Sequence, residues 1–287
     1  MRITNKYGLP EAVVKAVTSK ESHRQADFSV TQLMKGSTEI ALEMIHKDEL
    51  EIDASDLFNA LLGTSVHRIL QEEETEGVLN EHFMKVRSYA GFTVSGIADV
   101  IDTVSRRIED YKSCSVWKIR MKDYSDWREQ LKCYLYMWHE ETGDLYTDGR
   151  IVAMIKDFSP AEAERDYEYP RAPIVTVSFE YTEQEILSVG DTWTYKIIDV
   201  LQKLVAEDKG CCSEAERWAR PSKWALMKEG RKTAIKLYDT EAEAVEAQGE
   251  QKGYYVEHRK GESTKCLRYC TVGKCGFCPF RDSEVSK

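Results

Sequence analysis

The sequence predicts an α/β protein with a small cysteine-rich region at its C-terminal end. Helical periodicity dominates the first 60 residues, and strand-like and helical segments follow one another up to about residue 206. The cysteines are unevenly placed, because six of the eight lie at or after Cys211. Such clustering at short spacings indicates a metal site rather than disulfides.

Length and composition exclude several classes of protein. The chain has 287 residues, 42% of them hydrophobic, which is enough for one large core or two modest ones. Six Trp, 15 Tyr and eight Phe argue against disorder, and no apolar run approaches the length of about 18 residues that a transmembrane helix needs. The start, MRITNKYGLPEAVV, lacks the regions of a signal peptide, so we expect a cytoplasmic protein without a membrane partner. A net charge of −10 argues against a generally basic DNA coat, but not against an enzyme that meets phosphates through bound cations.

The first 60 residues are expected to be mostly helical. A capped helix start is predicted at 29–34, and an amphipathic pattern continues over 40–45. Asp53 and Ser55 are both candidate N-caps for a helix over 57–74, which carries an apolar stripe.

Strand-like periodicity begins after this helix. Three strands are predicted at 84–87, 92–101 and 107–112, the last two joined by a turn around 103–106. A helix, two strands and a second helix are then expected, at 125–141, 150–155, 174–179 and 183–206.

Composition and charge both change at Gly210, which predicts a boundary between a larger region, 1–210, and a small α+β cysteine-rich region, 211–287. The larger region holds 25 Lys/Arg and 38 Asp/Glu, whereas the smaller one holds 15 and 12. In the smaller region we expect a hairpin, a capped helix and a strand, at 224–228 with 234–238, at 241–248 and at 254–257.

Aromatic residues alternate with cations in the smaller region, over 217–224 and at Arg268 and Tyr269. They could grip a single nucleic-acid strand by stacking and phosphate contact. The alternative is that Trp218 and Trp224 form the core of this region. Its positive balance of charge still makes it the better candidate for contact with DNA.

Four separated motifs occur in one order in the larger region. They are Gly63-x3-His67 on a helix, Gly96-x2-Asp99 at a strand end, Asp110-x-Lys112 on the next strand and Gln130-x3-Tyr134 on the following helix. Asp110 and Lys112 share one face because side chains alternate along a strand, and Asp99 can face them from the adjacent strand. The same alternation puts Glu109 on the opposite face, which excludes it as the main ligand.

These residue types suit a hard divalent cation. Asp99 and Asp110 are expected to hold Mg²⁺ through carboxylate oxygens, with the Tyr111 carbonyl and water completing the shell. Lys112 would stand beside the ion, where it could lower the pKa of an attacking water or stabilise the phosphate. Two carboxylates and a lysine around the ion suit hydrolysis of a phosphodiester.

The order of the motifs resembles the PD-(D/E)xK nuclease superfamily. The His67 motif and the Gln130/Tyr134 motif are similar to those of its RecB-type exonuclease branch, which includes phage recombination and CRISPR-associated exonucleases. The resemblance covers about residues 29–137 and is specific in combination, since each motif alone is weak. It implies a restriction-endonuclease-like core, in which a mixed sheet is flanked by helices. It also implies that His67 and the two acids bind Mg²⁺ or Mn²⁺, that Lys112 is catalytic and that Gln130 and Tyr134 lie near the DNA.

We therefore expect a metal-dependent DNA exonuclease that acts in recombination, repair or phage DNA processing. One alternative is a nucleic-acid-binding or assembly module that kept the fold without the chemistry, although the intact acid, acid and lysine set argues against it. A structure-specific or sequence-specific endonuclease is the other. Singly, the motifs have simpler interpretations, such as a core histidine for His67 or a helix-surface pair for Gln130 and Tyr134.

The C-terminal cysteines predict a second metal site. Cys266, Cys270, Cys275 and Cys278 supply four thiols within 13 residues, which can close a tetrahedral Zn²⁺ site or hold an iron–sulfur cluster.

The sequence does not decide which cysteine would be the fourth ligand of such a cluster. The RecB-like relatives that carry a [4Fe–4S] cluster use three C-terminal cysteines and one upstream of the histidine motif, but residues 29–42 contain no cysteine. A cluster here would use the four local cysteines, or Cys211 or Cys212 with three of them. Cys114 and Cys133 are expected to be small buried apolar residues.

Overall fold

The computed structural model describes residues 1–18, 26–70 and 75–281, which form eleven strands, eleven α-helices and one short 3-10 helix. The strands are β1 (Arg2–Thr4), β2 (Phe28–Ser29), β3 (Glu51–Asp53), β4 (Val78–Arg87), β5 (Thr93–Asp102), β6 (Arg107–Cys114), β7 (Asp148–Ile155), β8 (Ile174–Glu180), β9 (Lys223–Lys228), β10 (Lys236–Tyr238) and β11 (Tyr254–Arg259). The helices are α1 (Glu11–Thr18), α2 (Val30–Leu33), α3 (Ser37–Ile45), α4 (Phe58–Leu70), α5 (Val116–Met121), α6 (Ser125–Thr142), α7 (Pro160–Arg165), α8 (Glu183–Val205), α9 (Glu241–Gln248), α10 (Thr264–Arg268) and α11 (Thr271–Lys274).

A mixed sheet of six strands lies at the centre of the fold. Its order is β2-β5-β6-β7-β8, with β4 on the remaining edge of β5. The β2–β5 and β6–β7 pairs are parallel, whereas the β4–β5, β5–β6 and β7–β8 pairs are antiparallel. Helix α6 packs across β4 to β7, α8 packs on α6, and α4 contacts β6. The predicted fold class, an α/β core with a mixed sheet flanked by helices, is confirmed.

The core is formed between α6 and the sheet. Leu131 and Leu135, four residues apart on α6, are fully buried, and they belong to one cluster with Ile101 and Ile151 of the strands. Ile197 of α8 joins the same cluster from the far side of α6. This packing fixes β5, β6 and α6 relative to one another, and these three elements carry most of the predicted site.

The first 60 residues contain more strand than predicted. Short strands β1 and β3 pair in parallel as a separate sheet, and β2 joins the central sheet, because runs of two or three residues are too short to show a period. The hydroxyl of Ser29 accepts a hydrogen bond from the Gln32 N–H at 3.2 Å and caps α2, as predicted. Asp53 is the cap that is used downstream, since its Oδ1 accepts from the Ser55 N–H at 3.0 Å and starts the 3-10 helix before α4. The last part of the helix predicted over 57–74 lies outside the described residues.

The C-terminal region has its own small sheet. Strands β10 and β11 flank β9 in antiparallel pairing, and α9 packs on this sheet, which is the predicted hairpin, helix and strand. The boundary at Gly210 stays a prediction. Trp218 is not a core residue, because 53% of it is exposed. The centroid of its ring lies 5.4 Å from that of Tyr269, which is itself 62% exposed. Trp224 is half-buried against His258.

The cysteine-rich segment packs back onto the N-terminal part of the chain. Leu42 of α3 and Leu50 share a hydrophobic cluster with Cys270 and Val272. An ion pair joins the same two parts, since the half-buried Lys265 ammonium lies 2.6 Å from a carboxylate oxygen of the buried Glu39 on α3.

Two remaining predictions concern burial and membranes. Cys114 and Cys133 are buried, as expected for small apolar residues. Across residues 1–18, 26–70 and 75–281, no helix combines the length and apolar character that crossing a bilayer requires.

Candidate active site

The candidate site lies where β5 and β6 separate. The two strands pair only over residues 100–102 and 107–109. At the next position the Oδ2 of Asp99 accepts a hydrogen bond from the Tyr111 N–H at 2.6 Å. A carboxylate thus takes over the role of a backbone acceptor, which fixes Asp99 in the gap between the strands.

The two motif glycines have different surroundings. A Cβ on Gly96 of β5 would lie 3.0 Å from side-chain atoms of Val30, Tyr134 and Met137, so any other residue here would require these side chains of α2 and α6 to shift. A Cβ on Gly63 of α4 would meet no atom within 4 Å. The glycine of the second motif is therefore a packing requirement, and that of the first is not.

His67 lies between two carboxylates. Its Nδ1 is 3.3 Å from Asp99 Oδ1 and 3.2 Å from Glu81 Oε1, and its Nε2 is 3.3 Å from the Tyr111 carbonyl oxygen. Hydrogen bonds to Asp99 and then Glu81 raise the pKa of His67 to about 10, against the opposing effect of burial. Without a metal ion the two carboxylates therefore favour the protonated ring, which links α4 to the sheet, and binding of a cation would displace that proton.

Glu81 is a candidate residue that the sequence did not indicate, because the strand predicted from alternation began only at residue 84. The pairs that flank Glu81 in the β4–β5 ladder keep one register, which sets it opposite Asp99. Its φ of 48° is in the left-handed region, a conformation that costs about 1–3 kcal/mol for a residue with a side chain. The donor atoms of His67, Glu81 and Asp99 all lie within 4.8 Å of one another, so these three residues could hold a metal ion.

Asp110 is buried on β6 beside Lys112. The Lys112 Nζ lies 2.5 Å from Asp110 Oδ2, but the angles do not make a hydrogen bond, and within the described chain this buried oxygen has no hydrogen-bond donor. Burial raises the pKa of Asp110 above its usual range, the Lys112 charge opposes this, the Asp99 charge adds to it and the His67 charge opposes it. Asp110 therefore lies near enough to Lys112, Asp99 and His67 for their charges to act on it, although it is outside the trio that His67 and Asp99 form with Glu81.

Gln130 and Tyr134 approach Asp110 from α6. The Gln130 Nε2 donates to the Tyr134 hydroxyl at 2.8 Å and to Asp110 Oδ1 at 3.5 Å. Tyr134 is buried, and loss of solvent raises the pKa of its phenol well above 10, so the hydroxyl stays neutral. The pair therefore holds one oxygen of Asp110 and leaves the other facing Lys112.

The structure brings the predicted residues together in two groups. His67 and Asp99, with Glu81, form one, and Asp110 and Lys112 form the other beside them; the Tyr111 carbonyl faces His67. Glu109 points away, as predicted, and is paired with Arg107 and Arg150.

The predicted cysteine ligands lie close together in the C-terminal segment, but not all of them line the same cavity. Three of them line a small cavity together with a fourth cysteine from upstream, so the set is Cys212, Cys266, Cys270 and Cys278. The sulfur of Cys275 instead accepts a hydrogen bond from the Glu51 N–H and donates one to the Glu51 carbonyl, both at 3.4 Å.

Comparison with known proteins gives likenesses of structure only. No family model matches the sequence, and no curated protein matches it. The chain aligns with the crystal structure of SSO0001 at a TM-score of 0.48 and 17% identity, over 72% of this chain and 89% of that one. A phage-related exonuclease from Haemophilus somnus 129PT aligns at a TM-score of 0.34 and 12% identity, over 58% and 83%. The alkaline exonuclease LHK-Exo from Laribacter hongkongensis aligns at 0.33 and 12%, over 67% and 87%. Phage-related and alkaline exonucleases are thus among the solved structures that match this chain.

Proposed function

We propose that this chain is a Mg²⁺- or Mn²⁺-dependent deoxyribonuclease, specifically an exonuclease that hydrolyses phosphodiester bonds in recombination, repair or phage DNA processing. One observation carries the proposal: the His67–Asp99 pair and the Asp110–Lys112 pair lie beside each other where β5 and β6 separate, joined by the hydrogen bond from the Tyr111 N–H to Asp99. An acid, acid and lysine set at one point suits phosphodiester hydrolysis, since a cation and a lysine can both counter the charge of the phosphate.

The residues present fit a hard divalent cation. His67, Glu81 and Asp99, whose ligand atoms lie together, would hold it, and Asp110 and the Tyr111 carbonyl beside them would complete its shell. The donors are mostly oxygens, which Mg²⁺ and Mn²⁺ prefer, and the Oδ2 of Asp110 is buried against the Lys112 ammonium. When bound, the ion would supply positive charge against the phosphate and a water of lowered pKa.

The other side chains would position the DNA and stabilise the charge that develops on the phosphate. The Lys112 ammonium would orient the attacking water or stabilise the charge that develops on the phosphate. Gln130 and Tyr134 hold Asp110 from α6 and would position the DNA strand beside it. A strand shifted by about 1 Å from its productive position would lose much of the rate, so such positioning contributes to catalysis.

The proposal is tested with end-labelled linear DNA, single- and double-stranded, beside closed circular DNA, in Mg²⁺, Mn²⁺ or EDTA. We expect metal-dependent loss of linear DNA from its ends, with circles left intact. Asp110→Asn and Lys112→Ala should each lower the rate by at least about 10²-fold. Asp126→Asn is the matched control, because it removes a carboxylate from an exposed ion pair with Lys118 and should change little.

Three results would contradict the proposed function or the proposed site. Cleavage of circular DNA would make the protein an endonuclease. Binding of DNA without any cleavage would make it a nucleic-acid-binding module. Full activity in Asp110→Asn would place the catalytic centre outside this site.

A further inference from the structure

One face of β4 carries an exposed row of one aromatic and two basic side chains. Met84 and Val86 of this strand are buried in the same core cluster as the residues of α6. Because side chains alternate along a strand, Phe83, Lys85 and Arg87 point to the opposite face, where all three are exposed. We call these three residues the β4 row.

The β4 row lies on the same face of the sheet as His67. Asp110 of β6 contacts Gln130 on α6, so its neighbour Tyr111 points to the face away from α6. The His67 ring packs edge-on against the Tyr111 ring, with the ring centroids 6.1 Å apart. The row and the trio that His67 forms with two carboxylates are therefore on one side of the sheet.

The row begins next to this trio. Phe83 is two residues beyond Glu81, and the β4–β5 register sets it opposite Ile97, which is two residues before Asp99. Alternate side chains of a strand are about 6.6 Å apart, so the two cations follow Phe83 in equal steps away from the metal site. An unstacked nucleic-acid strand can match such steps with its successive phosphates.

The side chains of the row suit a single DNA strand. Since 37% of Phe83 is exposed, its ring can stack on an unpaired base. The charges of Lys85 and Arg87 can neutralise phosphates. The Arg87 Nε donates to the Gly91 carbonyl at 3.1 Å, which anchors the guanidinium at the turn between β4 and β5.

One carboxylate lies near the cations, at the end of the row away from the metal site. Asp27 accepts hydrogen bonds from the Thr93 N–H at 2.8 Å and from the Thr93 hydroxyl at 2.7 Å, and Thr93 is paired with Arg87 across the strands. These hydrogen bonds lower the pKa of Asp27, and the Lys85 charge adds to the effect. Asp27 is therefore ionised and offsets part of the positive charge of the row.

We propose that the β4 row guides a single DNA strand to the metal site, with Phe83 stacked on the base nearest to that site and Lys85 and Arg87 on the phosphates that follow. The proposal rests on the nuclease function proposed above and specifies the substrate of that site. This substrate is an unpaired strand end rather than a blunt duplex, because a base within a duplex does not present its face to a protein ring.

Binding is measured separately from cleavage, by fluorescence anisotropy of a labelled thymidine oligonucleotide in EDTA, with a blunt-ended DNA hairpin as the comparison. Phe83→Ala should weaken binding of the single strand by about 5- to 150-fold, the contribution of one stacked base, and Phe83→Trp should restore it. Leu79→Ala is the matched control, because Leu79 is 38% exposed on the same strand, on the other side of Glu81. It should leave the affinity unchanged.

The cations are tested through the dependence of binding on salt. Lys85→Gln and Arg87→Gln should each make the plot of log affinity against log salt shallower by about 0.7, the value for one phosphate contact on a single strand. Asp27→Asn should strengthen binding, since it removes a like charge from the path of the phosphates. Lys252→Gln, in the exposed turn before β11, is the control and should not change the slope. In cleavage assays with Mg²⁺, the two cation variants should raise KM and leave kcat nearly unchanged.

Failure of this proposal can be distinguished from failure of the nuclease function. Binding of the single strand through the row without any cleavage would refute the nuclease function and leave the row as a binding site. Metal-dependent cleavage with affinity and KM unchanged in the variants of the row would refute the row. Its cations would then only protect an edge strand, since in the described part of the chain β4 pairs with β5 alone.

Two results would overturn the stacking role of Phe83. One is an equal loss of affinity for the oligonucleotide and the hairpin in Phe83→Ala, and the other is a loss in Leu79→Ala as large as that in Phe83→Ala. Far-UV circular dichroism of each variant checks its folding, and recovery of binding in Phe83→Trp excludes misfolding as the cause of a loss.

Discussion

Replacing Gly96 by alanine tests how β5 and α6 build the site. The added methyl group would lie 3.0 Å from side-chain atoms of Val30, Tyr134 and Met137, closer than ordinary van der Waals contact. All three side chains are held in the core, so they must move, and overpacking of this kind typically costs about 1–3 kcal/mol. We therefore expect Gly96→Ala to lower the free energy of unfolding by that amount.

The same substitution should also affect the site. Tyr134 is one of the three side chains that must move, and its hydroxyl accepts the hydrogen bond from Gln130, which in turn reaches Asp110. A shift of the phenol changes how that carboxylate is held, so we expect the cleavage rate to fall as well as the stability.

Gly63→Ala is the matched control, since it changes the other motif glycine. It lies inside α4 with open space around the new methyl group, so the helical preference of alanine should stabilise the protein by about 0.5–1 kcal/mol. Urea unfolding followed by circular dichroism measures both variants. The reasoning about close packing is refuted if Gly96→Ala is as stable as the wild type, or if the two changes have the same sign.

Three further predictions concern the site and the core. Glu81→Gln should weaken Mn²⁺ binding by at least about tenfold in calorimetry, whereas Glu141→Gln, on α6, should leave the affinity unchanged. If Glu81→Gln binds Mn²⁺ as tightly as the wild type, Glu81 is not a metal ligand. Because hydrogen bonds raise the folded-state pKa of His67 to about 10, its charge stabilises metal-free protein fully below the unfolded value of 6.5 and ceases to do so as the pH rises through about 10. The stability difference between wild type and His67→Gln in EDTA should therefore shrink over that range, and a constant difference would contradict the linkage. Ile197→Ala should cost about 2–5 kcal/mol because the side chain is fully buried, yet leave the cleavage rate at low temperature unchanged, since α8 lies behind α6.

The sequence predicts those parts of the site that depend on local periodicity. Alternation along one strand sets Asp110 and Lys112 on a common face and turns Glu109 away, and both expectations agree with the structure. Helical spacing likewise sets Gln130 one turn from Tyr134, and the two are hydrogen-bonded. Such relations hold within a single element, so they can be deduced before the fold is known.

The parts of the structure that the sequence missed or left open depend on how distant elements meet. Glu81 enters the site because the β4–β5 register sets it opposite Asp99, and because its own backbone leaves the ordinary strand conformation. Cys212, which the sequence leaves open beside Cys211, lines one cavity with Cys266 and Cys278 because the C-terminal segment returns to α3. Periodicity in the sequence carries no information about the register between two strands or about where a distant segment packs. The short strands near the N-terminus were missed for the simpler reason that two or three residues do not make a pattern.

The ion pair between Glu39 and Lys265 also bears on the order in which this protein can mature during synthesis. The two residues are 226 positions apart, so at about 5–20 residues per second the ribosome needs on the order of ten seconds or more to supply the lysine. Until then α3 carries a carboxylate that cannot be buried without a cost of several kcal/mol. The nascent chain can assemble the central sheet while this carboxylate stays in water, and α3 can settle into its final surroundings only after the lysine has been made.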